Sequence, residues 1–598
     1  MSTFITETNL LSMFEVRAAA EGKNSFLWEK RDGAYRPWSW HRAAHEAGLV
    51  ARALRARGLK TGDRVMLLAE NRPEWCIADL AILGAGGITV PAYTTNAEDD
   101  HAHILGHSEA RMVVVGGGGL AKRLMPAIRR TPSVETLLFI EPMAEPGALP
   151  VEALSWGDAL ALGERSPEAP GSAAIRPDDV ACFIYTSGTG GTPKAVMQTH
   201  RNILANLEGA YELLSHLGLG DRETFLSFLP LSHSYEHTAG QFFPISLGAE
   251  IYYAEGVETL STNLVEARPT ILTCVPRLYE VLRLKILAGV NRQGGLRKWL
   301  FDQALRLGTR RYEQGGRLGP LDSLADLLLD RLVRAKVKER FGGRLKAMIS
   351  GGAPLNYDVG LFFAALGLPV LQGYGQTEAA PVISVNVPGR AKHDTVGPPI
   401  KGVEIRLAPD GEIQVRGANV MKGYWKDEEA TRCTVVDGWL HTGDIGVLDE
   451  DGYLRITDRK KDIIVNSGGD NISPQRVEGI LLLEPEIGQA LIYGDKRPYL
   501  VALVTPDPGF VQAHARETGR ANDMAALAQD PDFRQRIGRA IERANAQLST
   551  IERIRRFEVM TEPFSVENGM MTPTMKLRRP RIIDRHGKLL ESLYGSGR

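Results

Sequence analysis

Residues 181 to 196 read ACFIYTSGTGGTPKAV. An apolar run ends at Thr186 and gives way to Ser187, Gly188, Thr189, Gly190, Gly191 and Thr192 before Pro193 and Lys194. Short apolar runs bounded by glycine and hydroxyl residues are strand signals. Glycines let backbone N–H groups approach phosphate oxygens, hydroxyls add donors, and the lysine adds a point charge. The segment therefore reads as a strand opening into a phosphate cradle. It departs from the P-loop, which needs Gly-Lys-Ser/Thr, because Pro193 precedes the lysine and Ala195 follows it.

The same pattern repeats on both sides. DRVMLLAE (63–70), GGITVPAY (86–93) and ARMVVVGG (110–117) come before it; TFLSFLP (224–230), AEIYYA (249–254), TILTCV (270–275), LKAMISG (345–351) and LPVLQGYG (368–375) come after it. Helical patterns separate these runs, which predicts an α/β fold of layered, largely parallel sheets with functional loops beyond the strands' carboxyl ends. From about 395 to 460, VEIRLAPDGEIQVRG and GVLDEDGYLRIT carry hairpin turns at PDG and DEDG and read as a β-rich subdomain. After Lys460-Lys461 the chain has its own α+β pattern, with IGQALIYGD and YLVALVTPD as strands and a helix near 533–547. The expected organisation is a large N-terminal domain, 1–460, of several subdomains, and a small mobile C-terminal domain, 461–598; the length itself argues for more than one core.

Composition narrows the class. With 43% hydrophobic and 24% charged residues the chain matches a soluble globular protein, and 71 basic against 72 acidic residues leaves no footprint for nucleic acid. Cys76, Cys182, Cys274 and Cys433 are far apart, without disulfide or zinc spacing. There is no signal-peptide pattern and no run of about 18 apolar residues, so a cytoplasmic location is expected. The segment 281–340 is helical and basic, with fourteen Lys or Arg against six Asp or Glu. It reads either as a solvated helical face or as a surface for peripheral attachment to the inner face of a membrane.

Further motifs follow in order: FLPLSHSYEH (228–237), VPRLYE (275–280), SGGAPL (350–355), GYGQTEAAP (373–381), GWLHTGDIG (438–446), DRKKDIIVNSGGDNISP (458–474) and NGMMTPTMK (568–576). Together with the loop at 184–196 this series resembles the adenylate-forming superfamily, which contains acyl-CoA synthetases, peptide-synthetase adenylation domains and firefly luciferase. The resemblance implies attack of a carboxylate on the α-phosphate of ATP, and then transfer of the acyl group from AMP to a thiol. It places ATP or AMP against the loop 186–192 and Lys194, against Gly351, Gly352, Ala353 and Pro354, against Gln372, Gly373, Tyr374, Gly375, Gln376, Thr377 and Glu378, and against Asp444, Ile456, Arg459 and Lys576.

Within that set, Thr186 and Glu378 are expected to hold Mg²⁺, Tyr374 to stack on adenine, and Asp444 to grip the ribose hydroxyls with two carboxylate oxygens. Lys576 matches the lysine that reaches the α-phosphate and carboxylate. His233 and Tyr235 fall near the acyl substrate, Lys461 at the hinge between domains, and Ser467, Gly468 and Gly469 where coenzyme A would pass after the C-terminal domain rotates. The loop departs from the superfamily pattern at Gly190 and Ala195, where threonine and glycine are usual, so one hydroxyl is lost.

NRPEWCIADLAILGAGGITVPAY (71–93), VPRLYE and the helical insertion before SGGAPL are most similar to long-chain acyl-CoA synthetases. This implies a fatty acid, ATP and coenzyme A as substrates. Two alternatives stay open: a ligase of the same superfamily for another acid or for a carrier-protein acceptor, and a membrane-surface scaffold whose adenylating core is vestigial. Acyl chain length and oligomeric state are not readable from the sequence.

Overall fold

The computed structural model describes residues 4, 7–141, 151–186, 192–220, 222–256, 258–519, 522–572 and 576–595. Two eight-stranded sheets form the body of the chain. In the first, Val180–Thr186, Ile88–Pro91, Arg64–Leu68, Met112–Val115, Thr136–Phe139 and Glu152–Ser155 lie side by side and parallel. Lys194–Thr199 joins this sheet antiparallel to Val180–Thr186, with Thr186 opposite Lys194. The glycine-rich loop therefore connects two neighbouring strands rather than a strand and a helix.

In the second sheet Glu250–Tyr253, Thr224–Ser227, Ile271–Cys274, Ala347–Ser350 and Val370–Gly375 are parallel, and Val382–Val385 closes one edge antiparallel. Every strand expected from the apolar runs is present. The hairpin Ser25–Arg31/Ala34–Ser39 was not anticipated: it completes the second sheet from the other end of the sequence.

The helix Pro73–Gly84, PEWCIADLAILG, is buried along its whole length. A helix without a polar face belongs in a core, and this one packs against strands of both sheets within a single apolar cluster. The β-rich subdomain is an antiparallel sheet of Val403–Leu407, Glu412–Gly417, Trp439–Leu448, Val435–Val436 and Leu454–Arg459. Beyond Lys461 a three-stranded sheet, Ile487–Tyr493, Leu500–Pro506 and Ile554–Val559, packs with Pro474–Leu481 and Pro531–Asn545 around its own core. Between the Ile271–Cys274 and Ala347–Ser350 strands the chain forms the helices Pro276–Gln293, Gly295–Glu313 and Pro320–Leu329, continued to Arg340. No helix among the described residues is long and apolar enough to cross a membrane.

Candidate active site

The carboxyl end of Val370–Gly375 carries the motif GYGQTE into a cavity of about 1730 Å³. Gly375 is required by close approach: a Cβ there would stand 2.0 Å from the Pro381 carbonyl oxygen. Gly351 lies flat against the ring of Tyr235, where a Cβ would come within 3.1 Å, and Gly352 turns the chain with φ of +83°. These two glycines, with Ala353 and Pro354, form one wall. Gln372, Gly373, Tyr374, Gln376, Thr377 and Glu378 form another, and Thr186, His233, Tyr235, Asp444, Ile456, Arg459, Lys461 and Lys576 also line the space. Residues more than 380 positions apart in sequence thus face one volume.

Asp444 is the hub of the polar network. It is 4% exposed. Its Oδ2 accepts hydrogen bonds from the Tyr374 hydroxyl at 2.6 Å and Gln376 Nε2 at 2.7 Å, and its Oδ1 accepts from Arg459 Nε at 3.1 Å. A carboxylate offers about four acceptor sites, so among the described residues one, on Oδ1, remains open. A grip on two ribose hydroxyls would require one present donor to leave. Gln376 Nε2 also donates to the Thr442 carbonyl at 2.8 Å, which fixes the 442–444 turn against the 374–378 segment.

Glu378 accepts from the hydroxyl of Tyr424 at 2.8 Å through Oε1. The ring of Tyr424 lies 5.2 Å from Lys194 Nζ, and Lys194 pairs with Asp427 Oδ2 at 2.9 Å. Lys194 and Thr192 are exposed and do not line the cavity; Ser187, Gly188, Thr189, Gly190 and Gly191 lie outside the described residues. Tyr424 and Asp427 were missed by sequence reasoning. Nothing local to GYWKDEE signals them, because the contact depends on Gly423–Tyr424 pairing with Lys194–Thr199 at the sheet edge.

Lys576 is exposed to the space of the cavity and enclosed by the walls that line it. That enclosure, and then the charge of Arg459, push its ammonium down to about 8 against the pull of Asp444 and Glu378. His233 Nδ1 accepts from the Tyr235 backbone N–H at 3.1 Å. In the neutral ring the proton therefore sits on Nε2, a donor available to the cavity. Burial, with the charge of Lys576, pushes His233 down to about 3, so it stays neutral at working pH. The Tyr235 hydroxyl donates to the Ile349 carbonyl at 2.9 Å, which makes it a structural brace for this wall.

Ser467, Gly468 and Gly469 form an exposed turn between Ile464–Val465 and Asn471–Ile472, held by the Asn466 side chain accepting from Gly468 and Asp470 N–H groups at 2.9 Å. They do not line the cavity; Lys576 does. Lys460, beside the expected hinge, is tied to Asp410 at 2.6 Å and Glu412 at 3.1 Å. Leu207, Leu214, Phe225, Phe228, Val275, Leu278, Val281 and Leu282 give the same cavity an apolar region. A second cavity of about 1090 Å³ shares Tyr93, Phe228 and Pro230 with it.

Polar walls joined to an apolar region in one cavity, with a lysine from the C-terminal segment lining it, fit an enzyme that couples a nucleotide to an apolar acid. The AMP-binding enzyme family matches residues 14–425, and the AMP-binding enzyme C-terminal domain matches 461–597. This chain belongs to that family. It is 34% identical over 576 residues to a long-chain-fatty-acid–CoA ligase of Mycobacterium tuberculosis, covering 94% of this chain and 93% of the relative. It is 32% identical to fatty acyl-CoA synthetase A of Dictyostelium discoideum, covering 96% and 88%. Among solved structures, the adenylation domain of the carboxylic acid reductase of Segniliparus rugosus, in complex with AMP and a carboxylic acid, aligns with a TM-score of 0.75 at 20% identity over 98% of this chain and 94% of that one, a likeness of fold.

Proposed function

We propose that this chain is an ATP-dependent long-chain fatty acid–CoA ligase. The observation that carries the reading is the single cavity in which Asp444, Glu378 and Lys576 face an apolar chamber, supported by relatives with that printed activity over nearly the full chain.

A carboxylate is a poor electrophile, because its charge repels nucleophiles and oxide is a poor leaving group. In the proposed first step a carboxylate oxygen attacks the α-phosphorus of ATP, the bond to pyrophosphate breaks, and an acyl-AMP anhydride forms. In the second, the thiol sulfur of coenzyme A attacks the acyl carbon, the thiol proton is lost, and AMP leaves. Lys576, as an ammonium, would neutralise charge between the carboxylate and the α-phosphate. His233 Nε2–H would orient the carboxylate. Tyr374 and the 351–354 wall would hold the adenine, and Asp444 the ribose. The free oxygen of Glu378 and the hydroxyl of Thr186 are hard donors of the kind Mg²⁺ takes alongside phosphate oxygens and water, and the ion would supply charge neutralisation at the phosphates.

Residues 1–460 and 461–598 would form separate domains hinged at Lys461. The C-terminal domain would rotate after adenylation, so that Lys576 leaves and the turn at Ser467, Gly468 and Gly469 arrives. Coenzyme A would then reach the acyl carbon from the second cavity through the Tyr93–Phe228–Pro230 wall. Work at the cytoplasmic face of a membrane belongs to the same reading. The test is pyrophosphate, AMP and thioester formation with MgATP, coenzyme A and acids from acetate to oleate plus aromatic acids. A peak at long chains with thioester is expected; pyrophosphate without thioester would redirect the assignment to another acceptor.

A further inference from the structure

The helix Pro320–Leu329 is turned inside out. Its buried side holds only Leu329 of its leucines, beside Asp326, which accepts from Arg334 Nη2 at 2.6 Å and Arg311 Nη1 at 2.9 Å. Arg334 is fully buried and also donates to the carbonyls of Ala365 and Ala304. This network fixes the rotation of the helix, because turning it would strand a buried guanidinium. The consequence is that Leu321, Leu324 and Leu328, at helical spacing i, i+3, i+7, face outward at 86%, 68% and 57% exposure, with Leu327 and Leu332 beside them. A contiguous exposed apolar stripe on a well-packed helix marks an interaction surface.

We propose that this stripe inserts into the surface of a membrane containing anionic phospholipid. Charge favours that occupant. The insertion carries fourteen basic against six acidic residues in a chain whose net charge is −1, and the exposed Arg317, Arg331 and Lys336 form no ion pair among the described residues. An apolar stripe flanked by free cations suits the boundary between headgroups and acyl chains. The position also fits. The stripe's helix packs on Gly295–Glu313, which packs on Pro276–Gln293, and that helix contributes Leu278, Val281 and Leu282 to the apolar part of the cavity, so docking here would place the chamber two helices from the phase into which a long-chain acid partitions. That last argument rests on the proposed ligase activity; the lipid contact itself does not.

The test is co-sedimentation of the full chain with vesicles of phosphatidylcholine, with and without phosphatidylglycerol. Binding to the anionic vesicles that weakens with salt is expected, and the L321E/L324E/L328E variant should bind them roughly tenfold or more weakly. Its melting temperature, and any turnover of a water-soluble acid, should match wild type, which separates lost docking from lost folding. A second variant, R317E/R331E/K336E, should lose the salt-sensitive part alone. Wild-type protein that stays in the supernatant with both vesicle types, or a leucine variant that binds as wild type does, overturns the proposal. So does a wild-type dimer in light scattering that the leucine variant converts to monomer with unchanged vesicle binding, which would assign the stripe to a second copy of the chain. Lipid binding needs no acid activation, so failure of the ligase assay would leave these results intact.

Discussion

Replacing Asp444 by alanine should abolish discrimination between ATP and its deoxyribose analogues. With three of its four acceptor sites already filled by Tyr374, Gln376 and Arg459, Asp444 has one site on Oδ1 open to a ribose hydroxyl. A hydrogen bond to a charged acceptor is worth about 1.5 to 3 kcal/mol, or about 10- to 150-fold in kcat/KM. The assay is acid-dependent pyrophosphate release with ATP, 2′-deoxy-ATP and 3′-deoxy-ATP. Wild type should lose that factor with one analogue and much less with the other, since one open site serves one hydroxyl; equal losses would show that Gln376 or Tyr374 yields its place. D444A should lose a similar factor with ATP itself and then treat all three nucleotides alike within about threefold. If D444A still separates ATP from the analogues as wild type does, Asp444 does not hold the ribose.

Three further outcomes concern one charge that faces the cavity and two groups in the core. With Lys576 near 8, kcat/KM for ATP should fall about tenfold between pH 7 and 9 as the ammonium is lost, and K576R should remove that limb; a flat wild-type profile would contradict the assignment. Burial raises Glu236 to about 7 although Ser227 and Thr273 donate to it. From about pH 4.5 to 7 the folded chain keeps a proton that the unfolded chain has released, so stability falls as pH rises by up to about 3 kcal/mol and then levels off; melting curves of E236Q should lack this slope. R334A should destabilise the insertion by up to about 3 kcal/mol, because Asp326 keeps Arg311 but loses its buried partner and the Ala304 and Ala365 carbonyls lose their donor; the check is a lower melting temperature than that of R331A, whose side chain is exposed.

Most of the strand order was legible because each buried strand is a short apolar run that ends in glycine, serine or threonine. The residues lining the cavity were legible only through the motif series; distance in sequence hides that Asp444 touches Tyr374. Contacts without a local signature were not legible. Tyr424 reaches Glu378, and Asp427 holds Lys194, only because a two-residue strand pairs at a sheet edge. The hairpin 25–39 completes a sheet whose other strands begin at Thr224, which no local pattern announces. The insertion was read as basic, and its leucines would ordinarily be assigned to a core. The Asp326–Arg334 pair takes up part of the inner face, so Leu329 alone of that helix's leucines is buried and the others face outward.

The most direct test of adenylation is isotope transfer. A long-chain acid labelled with ¹⁸O in both carboxylate oxygens is turned over with MgATP and coenzyme A, and the nucleotide product is weighed by mass spectrometry. Attack on the α-phosphorus predicts AMP carrying one ¹⁸O for each thioester formed. Unlabelled AMP, or label in ADP or inorganic phosphate, would contradict an acyl-adenylate intermediate.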